Sequence, residues 1–193
     1  MKVLLFLPKG FEHMETGVFI DVMGWARTRF SHDIEVVTAG FSREVTSTFN
    51  VPIVVDRLID EVRADDFDAL ALPGGFWDFG FFESAFDARF LDLIRAFDAQ
   101  RKPIASICVA ALVLGKSGIL KGRKATTYHL GGGKRQQELR EFGADVQADT
   151  PVVVDGNVIT SYCPETAIKV AFALLEMLIE PAAAAEVKHA MGY

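Results

Sequence analysis

Residues 103–118 read PIASICVAALVLGKSG. Pro103–Ile107 is an apolar run too short for a helix, and it reads as a buried strand. Small and aliphatic residues at helical spacing follow from Val109 to Lys116, so the change of period falls on Cys108. Upstream, Val3–Leu7 is a second apolar run, Met14–Phe30 carries Val18, Val22, Trp25 and Ala26 at helical spacing, and Ile34–Thr38 is the next strand. Glu44–Asp56 holds two β-branched runs around Phe49-Asn50, read as a small hairpin or edge strands, with a short helix near Leu58–Val62. Ala69–Leu72 is a strand stopped by Pro73-Gly74-Gly75, and Phe86–Gln100 is an amphipathic helix. Downstream, Lys134–Phe142 reads as a helix, Val152–Asp155 and Val158–Thr160 flank an Asp-Gly-Asn turn, and Pro164–Ile179 is the last long helix, with Ala182–Ala185 a short helix-prone segment beyond it. Strands alternating with helices predict an α/β layer fold around a mostly parallel sheet. With no linker, repeat or low-complexity tract, residues 1–193 are expected to form one domain.

Composition narrows the function classes. The balance of 20 Lys+Arg against 26 Asp+Glu, a net charge of -6, and the lack of a basic block argue against nucleic acid or anionic lipid as a partner. No apolar run reaches the roughly 18 residues of a membrane span, and Pro8-Lys9 interrupts the opening run too early for a signal peptide, so a cytoplasmic protein is expected. Two cysteines, Cys108 and Cys163, make no disulfide framework and lack CxxC spacing, so each matters as a thiol. Sixteen Phe and a mean hydropathy of +0.24 point to a homodimer.

In an open parallel sheet, ligands bind beyond the carboxyl ends of the strands. Four segments fall on that edge: Gly10–Thr16, Pro73–Gly80, Cys108–Ala110 and Thr126–Gly133. Cys108 has the small residues Ser106 and Ala110 two positions to either side, as a sharp strand-to-helix turn requires around an exposed nucleophile. The helix N-terminus that follows would favour a thiolate and an activated cysteine; a buried, inert cysteine also fits the position. Glu12, His13 and Glu15 can reach the same edge as catalytic groups, as acidic residues favoured in a helix's first turn, or as metal ligands with His129. His13-Met14-Glu15 echoes the H-x-E of zinc deaminases, but the cysteine pair those enzymes need is missing, and no metal is assigned. The amides of Gly75 and Val109 are candidate oxyanion donors. Phe76, Trp77, Phe79, Phe81 and Phe82 crowd one loop, as a ligand wall, a subunit interface or core packing. His129, in ATTYHLGGGK (125–134), is a candidate general base.

Taken together, KVLLFLPKGFEHMET (2–16), DALALPGG (68–75), PIASICVAALVLGKSGILKGRKATTY (103–128) and VVVDGNVITSYCPET (152–166) resemble the DJ-1/PfpI (ThiJ/PfpI) superfamily over nearly the whole length. The resemblance implies a three-layer flavodoxin-like sandwich of the class I glutamine amidotransferase type, usually dimeric. It also implies a reactive cysteine on a strained elbow, here Cys108, and a carboxylic acid from the first loop hydrogen-bonded to it, here Glu15. Protease-like members follow the cysteine with a histidine, whereas Val109 stands here, so peptidase activity is not expected. Tyr128 occupies the place of a histidine found in members acting on α-oxoaldehydes, with His129 one further on; which of the two faces Cys108 stays open. The arginine of an SRGPG-like stretch is lost in Ser161-Tyr162-Cys163-Pro164-Glu165, weakening the case for acidic substrates, and Cys163 is placed to resolve an oxidised Cys108.

The expected function is a cofactor-independent, cysteine-dependent enzyme acting on a small reactive carbonyl compound, glyoxalase- or deglycase-like, with Cys108, Glu15 and His129 as its catalytic groups. The alternatives are a non-catalytic oxidative-stress sensor or chaperone-like protein working through Cys108 oxidation, and a hydratase or amidase.

Overall fold

The computed structural model describes residues 1–193. Its strands and helices, in chain order, are β1 (Lys2–Phe6), α1 (His13–Phe30), β2 (Glu35–Gly40), β3 (Glu44–Thr46), β4 (Pro52–Val54), β5 (Arg57–Leu58), β6 (Ala69–Leu72), α2 (Phe81–Ala85), α3 (Ala88–Ala99), β7 (Ile104–Ser106), α4 (Ala110–Ser117), β8 (Lys124–Ala125), α5 (Lys134–Glu141), β9 (Asp145–Val146), β10 (Val152–Asp155), β11 (Val158–Ser161), α6 (Ala167–Leu178) and α7 (Pro181–Ala190). Seven strands form the central sheet in the order β10-β11-β7-β6-β1-β2-β5. Every pairing is parallel except β10 with β11, which closes one edge as an antiparallel hairpin. Helices α1, α6 and α7 pack together on one side, and α3 and α4 on the other, the three-layer α/β sandwich.

Burial explains why the central strands are continuous apolar runs. Val3–Phe6 and Ala69–Leu72 are fully buried, because helices cover both faces. On α3, the buried Phe90, Leu91, Leu93, Ile94 and Phe97 recur at helical spacing, and the Asp87 side chain caps the helix by accepting from the Arg89 amide at 2.9 Å. The Phe90 ring stacks on Phe6 of β1 at 3.9 Å between centroids, and Phe6 meets Phe41 edge-on at 5.2 Å.

Several expectations need adjustment. The helix foreseen near Leu58–Val62 is a single 3₁₀ turn, Ile59–Glu61. The aromatic loop divides: Phe81 and Phe82 belong to α2 and are buried, while Phe76 and Trp77 are exposed. The small parallel pair β8 and β9 has no counterpart in the sequence reading, because each strand is two residues long and shows no period. The β3–β4 hairpin is present, and its turn passes through Phe49 and Asn50 at φ of 65° and 62°.

Phe90→Ala removes the ring that ties α3 to β1. It should lower unfolding free energy by about 3–5 kcal/mol with an unchanged denaturant slope in urea titration.

Candidate functional site

Glu15 is buried by the register of its helix. It heads the inward stripe of α1, followed at helical spacing by Phe19, Val22, Met23 and Ala26, so the packing that seats α1 carries a carboxyl group indoors with it. Only 1% of the residue is exposed. Its Oε2 accepts from the Gly74 amide at 2.6 Å, whereas its buried Oε1 has no partner among the nitrogen and oxygen atoms of the protein. The polar group beside it is the Cys108 side chain.

Cys108 sits between β7 and α4 at φ 59°, in the left-handed region that costs a residue with a Cβ roughly 1–3 kcal/mol. Two hydrogen bonds hold it there. Its N–H donates to the Ser161 carbonyl at 3.1 Å, its own carbonyl accepts from Thr127 Oγ1 at 2.8 Å, and α4 starts two residues later at Ala110. Gly74 is what lets the two side chains meet. A Cβ there would lie 2.9 Å from Glu15 Oε2, 2.9 Å from the Ile107 carbonyl and 3.0 Å from Cys108 Cβ. Gly75 is confined too, since a Cβ would lie 2.2 Å from the Gly10 carbonyl. The bridge that joins Gly75 to Phe11 takes its hydrogen bonds from the Glu12 and Phe76 amides, leaving the Gly75 amide without a backbone partner.

Burial sets the electrostatics. It pushes the Glu15 carboxyl up to about 8, with the Glu12 charge adding to the rise and the Gly74 amide opposing it. Burial also pushes the Cys108 thiol up, as does the Glu15 carboxyl whenever it is charged, while the Val109 amide pulls the other way. Both shifts favour the neutral forms, a thiol beside a protonated acid. Burial thus works against the thiolate that the helix N-terminus is expected to favour.

A cavity of about 280 Å³ opens on this pair, lined by Glu12, Glu15, Gly75, Phe76, Trp77, Asp78, Phe82, Cys108, Val109, Tyr128, Arg135 and Pro164. Tyr128 is part of its wall. His129 is not: it stacks on Tyr162 at 4.1 Å, so of these two neighbours it is Tyr128 that lines the cavity. His13 bonds through Nε2 to Ser47 at 2.7 Å, so the metal set of His13 with His129 is not assembled. Cys163, a free thiol like Cys108, lies two residues beyond the Ser161 that pairs with the Cys108 amide. Arg135 has no signal in the sequence, because α5 carries no motif and reaches the cavity only through packing. A larger hollow of about 730 Å³ lies at the amino ends of the strands, where Arg123, Asp98 and Asn157 satisfy one another.

Glu15 binds its proton more tightly folded than unfolded. The stability this contributes is fully present below about pH 4.5 and is lost as pH rises through about 8. Glu15→Gln cannot ionise and keeps an oxygen for Gly74, so its melting temperature should exceed the parent's by a margin that grows between about pH 5 and about pH 8.

Comparison with known proteins follows the same residues. A DJ-1/PfpI family profile matches residues 1–177. The chain is 31% identical to DJ-1 homolog B of Arabidopsis thaliana over 176 residues, covering 91% of this chain and 37% of that longer relative. It is 35% identical to a deglycase of Pyrococcus abyssi over 165 residues, 85% of this chain and 91% of the relative. The crystal structure of Drosophila melanogaster DJ-1beta superposes with a TM-score of 0.85 at 30% identity, over 98% of this chain and 96% of that one. The profile covers most of the chain and the fold is shared with DJ-1beta, and on these grounds the chain belongs to the DJ-1/PfpI family.

Proposed function

We propose that the protein is a cofactor-independent enzyme whose Cys108 attacks small reactive carbonyl compounds, as a glyoxalase- or deglycase-type catalyst. The observation that carries this reading is the unpartnered, buried Glu15 Oε1 beside the Cys108 sulfur, at the floor of a cavity open to small molecules. The deglycase of Pyrococcus abyssi lends it support.

Chemistry follows from a thiol and an acid that share protons. Sulfur bonds to the aldehyde carbon of a 2-oxoaldehyde and the carbonyl π pair moves to oxygen. That oxygen takes the Glu15 proton as the thiol proton passes to Glu15, giving a neutral hemithioacetal. The free Gly75 amide stabilises the oxygen while it carries charge. Glu15 next gives its proton to the ketone oxygen as it takes the C–H proton, forming an enediol, then returns that proton to the adjacent carbon as it takes the proton of the first hydroxyl; the result is a thioester, which water hydrolyses to a 2-hydroxy acid and free Cys108. His129 stands outside the cavity and takes no step. Exposed Met14, Ile20 and Trp25 on α1, with Phe49, Val51 and Val54 of the hairpin, favour a homodimer, and two free thiols suit a cytoplasmic setting.

The test is lactate formation from methylglyoxal. The parent should turn over, Cys108→Ala and Glu15→Gln should lose about 100-fold or more, and His129→Ala should stay within about threefold. Equal residual rates in all four would reject the enzyme.

A second reading, oxidant sensing, is favoured by the nearness of Cys163. A hydroperoxide would be reduced to an alcohol as Cys108 becomes a sulfenic acid, and the Cys163 thiol would then displace water to form a disulfide. Peroxide treatment should lower the intact mass by two hydrogens and join the Cys108 and Cys163 peptides. Accumulation of hyperoxidised Cys108 alone would exclude the resolving role.

A further inference from the structure

The cavity beside Cys108 contains one cation, Arg135, at the second position of α5. Two contacts fix its guanidinium. It lies over the Phe82 ring at 5.1 Å, and Nη1 donates to Glu138 Oε2 at 2.7 Å. Its remaining nitrogens make no hydrogen bond within the protein. Only 22% of the side chain is exposed, so the group is held in place and partly shielded from water, while part of its donor fork is unused. A guanidinium in that state is a prepared site for a carboxylate or phosphate.

The other charges in the cavity set the direction of binding. Glu12 and Asp78 also line it, and neither is in an ion pair. They repel an anion from their side and leave the Arg135 end as its place. Burial pushes the Glu15 carboxyl up to about 8, which favours its neutral form and leaves little opposing charge there. The volume of about 280 Å³ is worth about nine waters at roughly 30 Å³ each, enough for a molecule of a few carbons.

We propose that Arg135 binds an anionic group of the carbonyl compound, so that Cys108 selects small aldehydes and ketones bearing a carboxylate or phosphate over neutral ones. This rests on Cys108 being the attacking group, but the anion site can be tested without turnover. Iodoacetate and iodoacetamide are near-isosteric alkylators that differ in charge, and both lose iodide to the Cys108 sulfur in the same displacement. The ratio of their rates at Cys108, followed on its peptide by mass spectrometry, reports an anion site next to the thiol.

Arg135→Leu should lower the iodoacetate-to-iodoacetamide ratio about tenfold, with the iodoacetamide rate unchanged as the control for folding. Arg135→Gln carries the same expectation should the leucine variant fail to fold. Lys134→Gln removes an equal charge from the neighbouring exposed position outside the cavity and should leave the ratio within about twofold. Glu138→Gln, which frees the guanidinium, should raise it. An unchanged ratio in the Arg135 variants, or an equal fall in Lys134→Gln, overturns the proposal. If methylglyoxal is not turned over but the ratio behaves as expected, the enzymatic reading fails and the anion site stands.

Discussion

The site depends on a carboxylic acid placed where water cannot reach it. Glu15 is buried because α1 must seat Phe19, Val22, Met23 and Ala26 against the sheet, and the helix repeat brings position 15 onto the same line. Once indoors, its proton is held to about pH 8 and one of its oxygens is tied to the Gly74 amide. The other oxygen can be matched only by the cysteine beside it. Burial therefore turns an ordinary glutamate into a group that donates and accepts a proton at neutral pH.

Everything around the pair keeps that contact close. Gly74 and Gly75 leave out the side chains that would separate acid from sulfur or block the first loop. The Cys108 backbone is held in an unfavourable conformation by the Ser161 carbonyl and the Thr127 hydroxyl, two groups from different segments of the carboxyl edge. The cost of that conformation is small beside the stability of a sheet whose central strands are wholly buried. Aromatic residues of α2 and the preceding turn wall the cavity, and through Phe82 they also orient Arg135. The same packing that supports the fold thus sets the charge pattern of the cavity.

Protonation and selectivity meet at this point. A neutral acid and a thiol leave the floor of the cavity uncharged, so the few charges on its wall decide which ligands enter. Glu12 and Asp78 stand against Arg135, and their arrangement favours ligands with a defined head and tail over those that are charged throughout.

Local sequence determined the mostly parallel α/β layers and the cysteine junction, because strand and helix periods, a proline-glycine stop and small residues around Cys108 are constraints between near neighbours in the chain; Glu15 was singled out from Glu12 and His13 only by the family resemblance. Tyr128 and His129 could not be separated that way, since adjacent residues in a loop have no period to say which turns inward. The helix end that favours a thiolate at Cys108 is visible in sequence, whereas the depth of burial that opposes it is not. Arg135 was invisible, as α5 has no motif and reaches Phe82 and the wall of the Cys108 cavity only after three distant segments pack. Proximity across the carboxyl edge, and the desolvation that comes with it, are properties of the folded chain alone.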